Sequence, residues 1–300
     1  KILKPILENI PKVKDFEASI EVDPRRTTYE HLECLRKLGF NRVSLGVQDF
    51  DPEVQRLVNR IQPYEITERI TQWSRDLGYS SVNFDLIYGL AKQTPQSFKE
   101  TALKTVALKP DRIALYSFAM VPWIKPAQRL FKDEDLPKAA EKRDLYEIAR
   151  EILLQNDYVE VGMDHFARTN DSLATAMNTQ KLHRNFMGYT DQKTDILLGL
   201  GVSSISETPY SFHQNEKVLP LYEEKLNRGQ LPTLRGHVLN NEDLIRREQI
   251  LKLMTEFEVQ LTPEQCLTVE EFLKPMFQDK LIELQKDVLK VNTMGRPFLR

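Results

Sequence analysis

Two kinds of hydrophobic pattern alternate along the first 118 residues. Short apolar runs rich in β-branched residues fall at 18–23, 42–47, 82–90 and 112–118, too short for helices and suited to strands. Between them apolar residues recur every three or four positions: Leu32, Leu35 and Leu38; Val54, Leu57 and Val58; Ile66, Ile70, Trp73 and Leu77; Phe98, Ala102 and Val106. The punctuation agrees. Pro24 closes the first run, Thr27 with Glu30 predicts a capping box, and Gly39 ends that helix. Asp51-Pro52 predicts an N-cap with Pro at the first helical position, Gly78 a stop, Thr94-Pro95 a start and Pro110 a stop. Strand and helix alternating at roughly 25–40 residues predict successive right-handed βαβ units, hence a parallel sheet or partial barrel.

The alternation breaks in a Pro-rich loop over 119–137 (Pro122, Pro126, Pro137). An amphipathic helix follows over 139–155, with Leu145, Ile148 and Ile152 inward, then a strand over 158–163 ending in Asp164-His165. Residues 168–195 are polar and irregular, and 199–205 predict a final strand or tight turn. Beyond a linker the pattern turns helical (245–257, 263–277) and closes on a strand-like pair (282–284, 288–291), the order of a small winged-helix-like module. The expected division is a barrel-like domain over 1–206, a linker over 207–242 and a mainly helical carboxy-terminal domain over 243–300.

Charge changes the picture by exclusion. A net charge of −2 and a pI near 6.3 give no electrostatic case for nucleic acid or an anionic membrane. No apolar run approaches the ~20 residues that span a bilayer. The charged amino end does not read as a signal peptide. The two cysteines, Cys34 and Cys266, exclude a disulfide framework and any C-x-x-C motif within these residues. Both sit in apolar helical patterns, as small core residues would, and the default compartment is a reducing cytoplasm.

Chemistry is expected where polar side chains interrupt or end the strands. In parallel α/β folds the carboxyl edge is where ligands sit. That edge offers Glu21 and Asp23, Gln48 and Asp49, Asp85 and Tyr88, Ser117, and Asp164 with His165. Carboxylates accept hydrogen bonds and an amide does both, which suits hydroxyls and an amine; Arg60 adds a fork for a carboxylate. The set describes a zwitterionic ligand with a ribose. Asp23 and Asp49 also stand where Asp caps turns and helices for local reasons. Arg60 alone reads more readily as a solvated surface charge, and His31 and His237 sit in surface-like patterns. Asp164-His165 reads as a metal pair, an acid–base pair or a structural hydrogen bond, metal being disfavoured without a second histidine at ligand spacing. A cluster-free barrel hydrolase or aldolase using Glu21, Asp85 and His165 is the different-class alternative.

Several phrases are together specific: IEVDP (20–24), GFNRVSLGVQDF (39–50), VQRLVNR (54–60), FDLIYGLAKQTPQSF (84–98), GMDHFAR (162–168), HRNFMGYT (183–190) and LGLGVSSIS (198–206). The chain resembles the oxygen-independent coproporphyrinogen III oxidases, radical S-adenosylmethionine (SAM) enzymes of haem biosynthesis. The resemblance implies an α/β fold, a partial parallel (β/α) barrel of the radical SAM type with a smaller, mainly helical carboxy-terminal domain. It implies SAM and a [4Fe–4S] cluster as cofactors, and a SAM-derived 5′-deoxyadenosyl radical that drives decarboxylation of coproporphyrinogen III to protoporphyrinogen IX. By motif match Glu21, Gln48, Arg60, Asp85, Ala119 and Ile205 resemble the SAM-contacting positions, and Asp164, His165, Phe186 and Met187 are candidates for substrate contact. Met187 stands where a Gln is expected. The family's C-x-x-x-C-x-x-C cluster run and glycine-rich SAM loop are expected ahead of residue 1, so this chain is expected to be a fragment, inactive alone. A flavodoxin- or ferredoxin-type electron donor, a cytoplasmic location and a monomer are also implied. The alternative within the same superfamily is the haem chaperone branch; HRNFMGYT favours the oxidase.

Overall fold

The computed structural model describes residues 3–123, 128 and 131–299. Pro126, expected in the Pro-rich loop, lies outside them. The chain divides into two compact units, Lys1–Asp171 and Ser172–Arg300.

The first unit opens with α1 (Leu3–Asn9) and β1 (Ser19–Val22). It continues as α2 (Tyr29–Lys37), β2 (Arg42–Gln48), α3 (Pro52–Leu57), α4 (Tyr64–Asp76), β3 (Ser81–Tyr88), α5 (Pro95–Ala107) and β4 (Arg112–Ser117). It closes with α6 (Ala139–Leu154), β5 (Tyr158–Gly162) and β6 (His165–Arg168). These six strands form one sheet in the order β1-β2-β3-β4-β6-β5. The first four pair in parallel, as successive βαβ units require. Asp51 caps α3 by accepting from the amides of Glu53 and Val54, and Thr94 caps α5. The box at α2 is one residue later than expected: Thr28 and His31 form it, while the Thr27 hydroxyl donates to the Asp23 carbonyl.

Alternation along the strands sorts the two faces. Val43, Leu45, Val47, Val82, Phe84, Leu86, Ile113 and Leu115 are buried with Leu32, Ile70, Phe98, Ala102, Leu145 and Tyr146 from the helices. The intervening residues are polar or small: Arg42, Ser44 and Gly46 on β2, Ser81, Asn83 and Asp85 on β3, Arg112 and Ala114 on β4. Because side chains alternate with period two, these lie on the opposite face.

The last strands depart from expectation. β5 does not extend the parallel series; β6 folds back between it and β4, antiparallel to both. Met163, at φ 46°, takes the left-handed position of the turn, so Asp164 sits in the turn and His165 begins β6.

The second unit is mixed. It contains α7 (Ser172–Asn178), the hairpin β7 (His183–Asn185) and β8 (Gly188–Thr190), β9 (Ile205–Thr208), β10 (Ser211–Asn215), α8 (Leu219–Asn227) and β11 (Thr233–Val238). α9 (Asn241–Glu256), β12 (Glu258–Gln260), α10 (Pro263–Phe272), α11 (Lys274–Gln278), β13 (Ile282–Gln285) and β14 (Val288–Val291) complete it. The boundary therefore falls at residue 171 and not 206. Residues 207–242 are no linker: β9, β10 and β11 pair into an antiparallel sheet. The expected closing pair is real, with β12 added to it in the order β12-β14-β13.

Candidate functional site

Register places the site. Gly46 pairs with Asp85, Asp85 with Ala114, and Ala114 with His165, so these four lie in one row across the sheet. Glu21, Ser44, Asn83 and Arg112 form the row two residues earlier on the same face. Glu21 and Asp85 therefore share the polar face, and the parallel strands put its open edge at one end.

Gln48, two residues after Gly46, falls on that face by the same alternation, at an irregularity in the strand. The β2–β3 register shifts between Gly46 and Gln48, and Gln48 adopts φ 69°, a left-handed conformation unusual for a side-chain-bearing residue. Its Nε2 lies 2.9 Å from where a Cβ on Gly46 would sit, and so does Arg60 Nη2. Glycine at 46 is what lets both polar heads lie over the strand. Arg60 Nη2 donates to the Gly46 carbonyl at 2.7 Å, and one of its nitrogens is 3.8 Å from Asp23. Its Nε is buried without a hydrogen-bond partner among the described residues.

Charge completes the arrangement. Burial, then the neighbouring negative charge of Glu21, pushes the Asp85 carboxyl up to about 6, against weaker opposition from the Ser44 hydroxyl and Arg60. The Ser44 contacts are long, 3.4 and 3.5 Å, so Asp85 is a poorly satisfied acceptor. Burial lowers the Arg60 pKa, while Asp23, Glu21 and Asp85 act to raise it. Asp23, by contrast, is held down to about 2, mainly by the hydrogen bond from Arg25. Glu21, Gln48, Arg60 and Asp85, expected together from sequence, are thus brought together by one sheet face. Ala119 is exposed just past β4; the Gln128 side chain pins its loop by donating to the Ala119 carbonyl and accepting from the Val121 amide.

Two expected rim residues, Asp49 and Tyr88, go elsewhere. Asp49 is buried on the helix side, accepting from the Asp51 amide, the Thr101 hydroxyl and the Gln93 amide; burial raises its pKa. It holds the loops together, the local alternative left open by the sequence. Tyr88 packs in the core against Tyr146, ring centroids 5.5 Å apart, because it is an odd number of residues from Asp85. Asp164 and His165 meet the sheet through the β5–β6 turn: the Asp164 carbonyl accepts from the Leu115 amide, and His165 stands edge-on to Tyr116. Ile205, Phe186 and Met187 belong to the second unit. Phe186 and Met187 are exposed at the β7–β8 turn, where the Met187 amide donates to Asn185. Ser44 and Gly46 were missed, having no reactive group to flag them; their alternation with Val43, Leu45 and Val47 was the available signal.

Residues 2–104 match the radical SAM superfamily. The oxygen-independent coproporphyrinogen III oxidase of Escherichia coli (strain K12) is 40% identical over 310 residues, covering 100% of this chain and 68% of that protein. The chain belongs to this family. The Paracoccus denitrificans relative of the same name is 38% identical, with 98% of this chain and 67% of the relative covered. The solved structure of the E. coli enzyme (HemN), a radical SAM enzyme, superposes with a TM-score of 0.92 at 41% identity, covering 100% of this chain and 71% of that one. The expected fold class, a partial radical SAM barrel, is therefore the observed one.

Membership brings SAM and a [4Fe–4S] cluster as cofactors, and the residues present fit them unequally. SAM needs acceptors for an amine and two ribose hydroxyls and a fork for a carboxylate; the cluster of Glu21, Gln48, Asp85 and the unspent Arg60 Nε supplies that donor set. The iron–sulfur cluster does not fit. Cys34 is exposed on α2, correcting its expected place in the core, and Cys266 is half-buried in the second unit. Among the described residues no group of three His, Cys, Asp or Glu side chains could hold a metal ion. No described helix is long and apolar enough to cross a membrane.

Proposed function

We propose that this chain supplies the SAM- and substrate-binding wall of an oxygen-independent coproporphyrinogen III oxidase, which oxidatively decarboxylates propionate side chains of coproporphyrinogen III to vinyl groups in haem biosynthesis, each losing a hydrogen atom, an electron and CO2. The observation that carries the reading is the polar row built on Gly46 and Asp85, with the polar heads of Arg60 and Gln48 lying over Gly46. When bound, SAM supplies the one-electron chemistry of the reaction. The chain's own residues bind and orient it. Arg60 grips the methionine carboxylate through its fork, exchanging the Gly46 carbonyl for a charged partner. Asp85 and Gln48 take the ribose hydroxyls; Asp85, ionised by that contact, is a stronger acceptor for being partly desolvated. Glu21 meets the amine, and the pinned backbone at Ala119 meets the adenine.

Asp164, His165, Phe186 and Met187 are the candidates for substrate contact, and Ile205 for SAM contact. The reading includes a cytoplasmic, monomeric enzyme taking electrons from a flavodoxin- or ferredoxin-type protein; the two unpaired cysteines agree with a reducing compartment. Calorimetric titration with SAM tests it. Asp85→Asn is expected to weaken binding more than tenfold, about 1.4 kcal/mol, and an unchanged affinity removes Asp85 from the site.

A further inference from the structure

The second unit contains a cavity of about 470 Å³. Its walls are largely apolar: Phe212 from β10, Leu239, and Ile250, Leu251 and Met254 from α9. A second cavity of about 330 Å³ adjoins it, sharing Ile205, Phe212 and His237. Both volumes are in the range of small-molecule sites.

The charges around it are not evenly matched. Glu207 pairs with Arg247, whose remaining donors go to the Thr208 and Pro209 carbonyls. Asp243 accepts from His237 and from the Asn240 amide, and Arg246 pairs with Glu242. Arg184 is the exception. Its guanidinium lies 4.8 Å over the Tyr189 ring, and Tyr189 is fixed by donating to the Met254 carbonyl at 2.8 Å. Its Nη1 is buried and has no hydrogen-bond partner among the described residues. A buried cationic donor left unsatisfied is costly, and an anion is what resolves it. Arg with a stacked, fixed plane favours a carboxylate over a rounder anion.

We propose that this cavity receives one propionate-bearing pyrrole ring of the tetrapyrrole, with Arg184 binding the propionate carboxylate and the apolar walls enclosing the ring. This rests on the functional reading above, because it takes the ligand to be that enzyme's substrate.

The test uses coproporphyrin III, the stable oxidised form of the substrate, and its tetramethyl ester, with binding to the 300-residue chain followed by fluorescence quenching. The wild type is expected to bind the acid at least tenfold more tightly than the ester. Arg184→Gln is expected to abolish that preference, and Arg184→Lys to restore part of it, with thermal melts confirming folding. The acid–ester comparison needs no variant, so a misfolded Arg184→Gln leaves the proposal exposed. Equal wild-type affinity for acid and ester overturns it, as does an Arg184→Gln variant that loses acid and ester binding equally, the mark of a packing role. Loss of S-adenosylhomocysteine binding without loss of coproporphyrin binding overturns it too, because the carboxylate then comes from the cofactor. Acid-selective, Arg184-dependent binding in a protein whose cluster-loaded full-length form turns over no coproporphyrinogen keeps the proposal and removes the oxidase reading.

Discussion

Replacing Asp85 by Asn is expected to make the ligand-free chain more stable while weakening its hold on SAM. The carboxyl is displaced from an ordinary 3.8 to about 6 by burial and by Glu21. At 1.36 kcal/mol per unit, a shift of that size is about 3 kcal/mol between the two protonation states. The sign follows from linkage. The folded pKa is raised, so this group's favourable contribution is complete below the unfolded value, is lost as pH rises through about 6, and leaves a penalty above it. Asparagine has nearly the same shape, keeps an acceptor toward Ser44 and carries no charge to desolvate. Near pH 8 the variant should gain up to about 3 kcal/mol, and near pH 4 almost nothing. Urea unfolding followed by tryptophan fluorescence measures this in the right unit, since both tryptophans, Trp73 and Trp123, belong to the first one. A variant no more stable than wild type near pH 8, or equally stabilised at both pH values, would refute the electrostatic account of the site.

Other consequences are independent of that variant. Gly46→Ala puts a methyl 2.9 Å from both Arg60 Nη2 and Gln48 Nε2. It should cost roughly 1 kcal/mol of stability and at least tenfold in SAM affinity by calorimetry, and unchanged affinity would show that neither head is needed over the strand. Gln93→Leu strips the acceptor of the Gly89 and Leu90 amides and a donor to Asp49; a loss of about 3 kcal/mol in urea unfolding is expected for the buried groups left unpaired. SAM affinity should rise as pH increases through about 6, where Asp85 ionises, and a flat profile would exclude the ionised form as the acceptor. Reconstitution of the chain with iron and sulfide should give no [4Fe–4S] electron paramagnetic resonance signal after reduction, because the chain has only two cysteines to ligate it.

How far the sequence could be read depends on how local each signal is. The βαβ series was legible because apolar spacing, Asp51-Pro52 and Thr94-Pro95 all act within a few residues. Asp85 was legible because a carboxylate inside an apolar strand has no local excuse. Asp49 and Tyr88 were placed on the rim by nearness to a strand end, a rule that ignores strand parity. The β5–β6 reversal lacked a turn glycine, because Met163 takes the left-handed position itself. Residues 207–242 read as a linker because β9 and β10 are half-buried at every position and so show no apolar alternation. Arg184 lies within HRNFMGYT but has nothing in the sequence to set it apart there; the absence of a partner for its Nη1 among the described residues marks it.

The claim that most depends on geometry is that one sheet face holds one nucleoside–amino-acid ligand. A crystal structure of the chain soaked with S-adenosylhomocysteine addresses it directly. The expected density has ribose hydroxyls on Asp85 and Gln48, with Arg60 turned from the Gly46 carbonyl to the ligand carboxylate. Density elsewhere, with Arg60 still on Gly46 and Asp85 untouched, would contradict it.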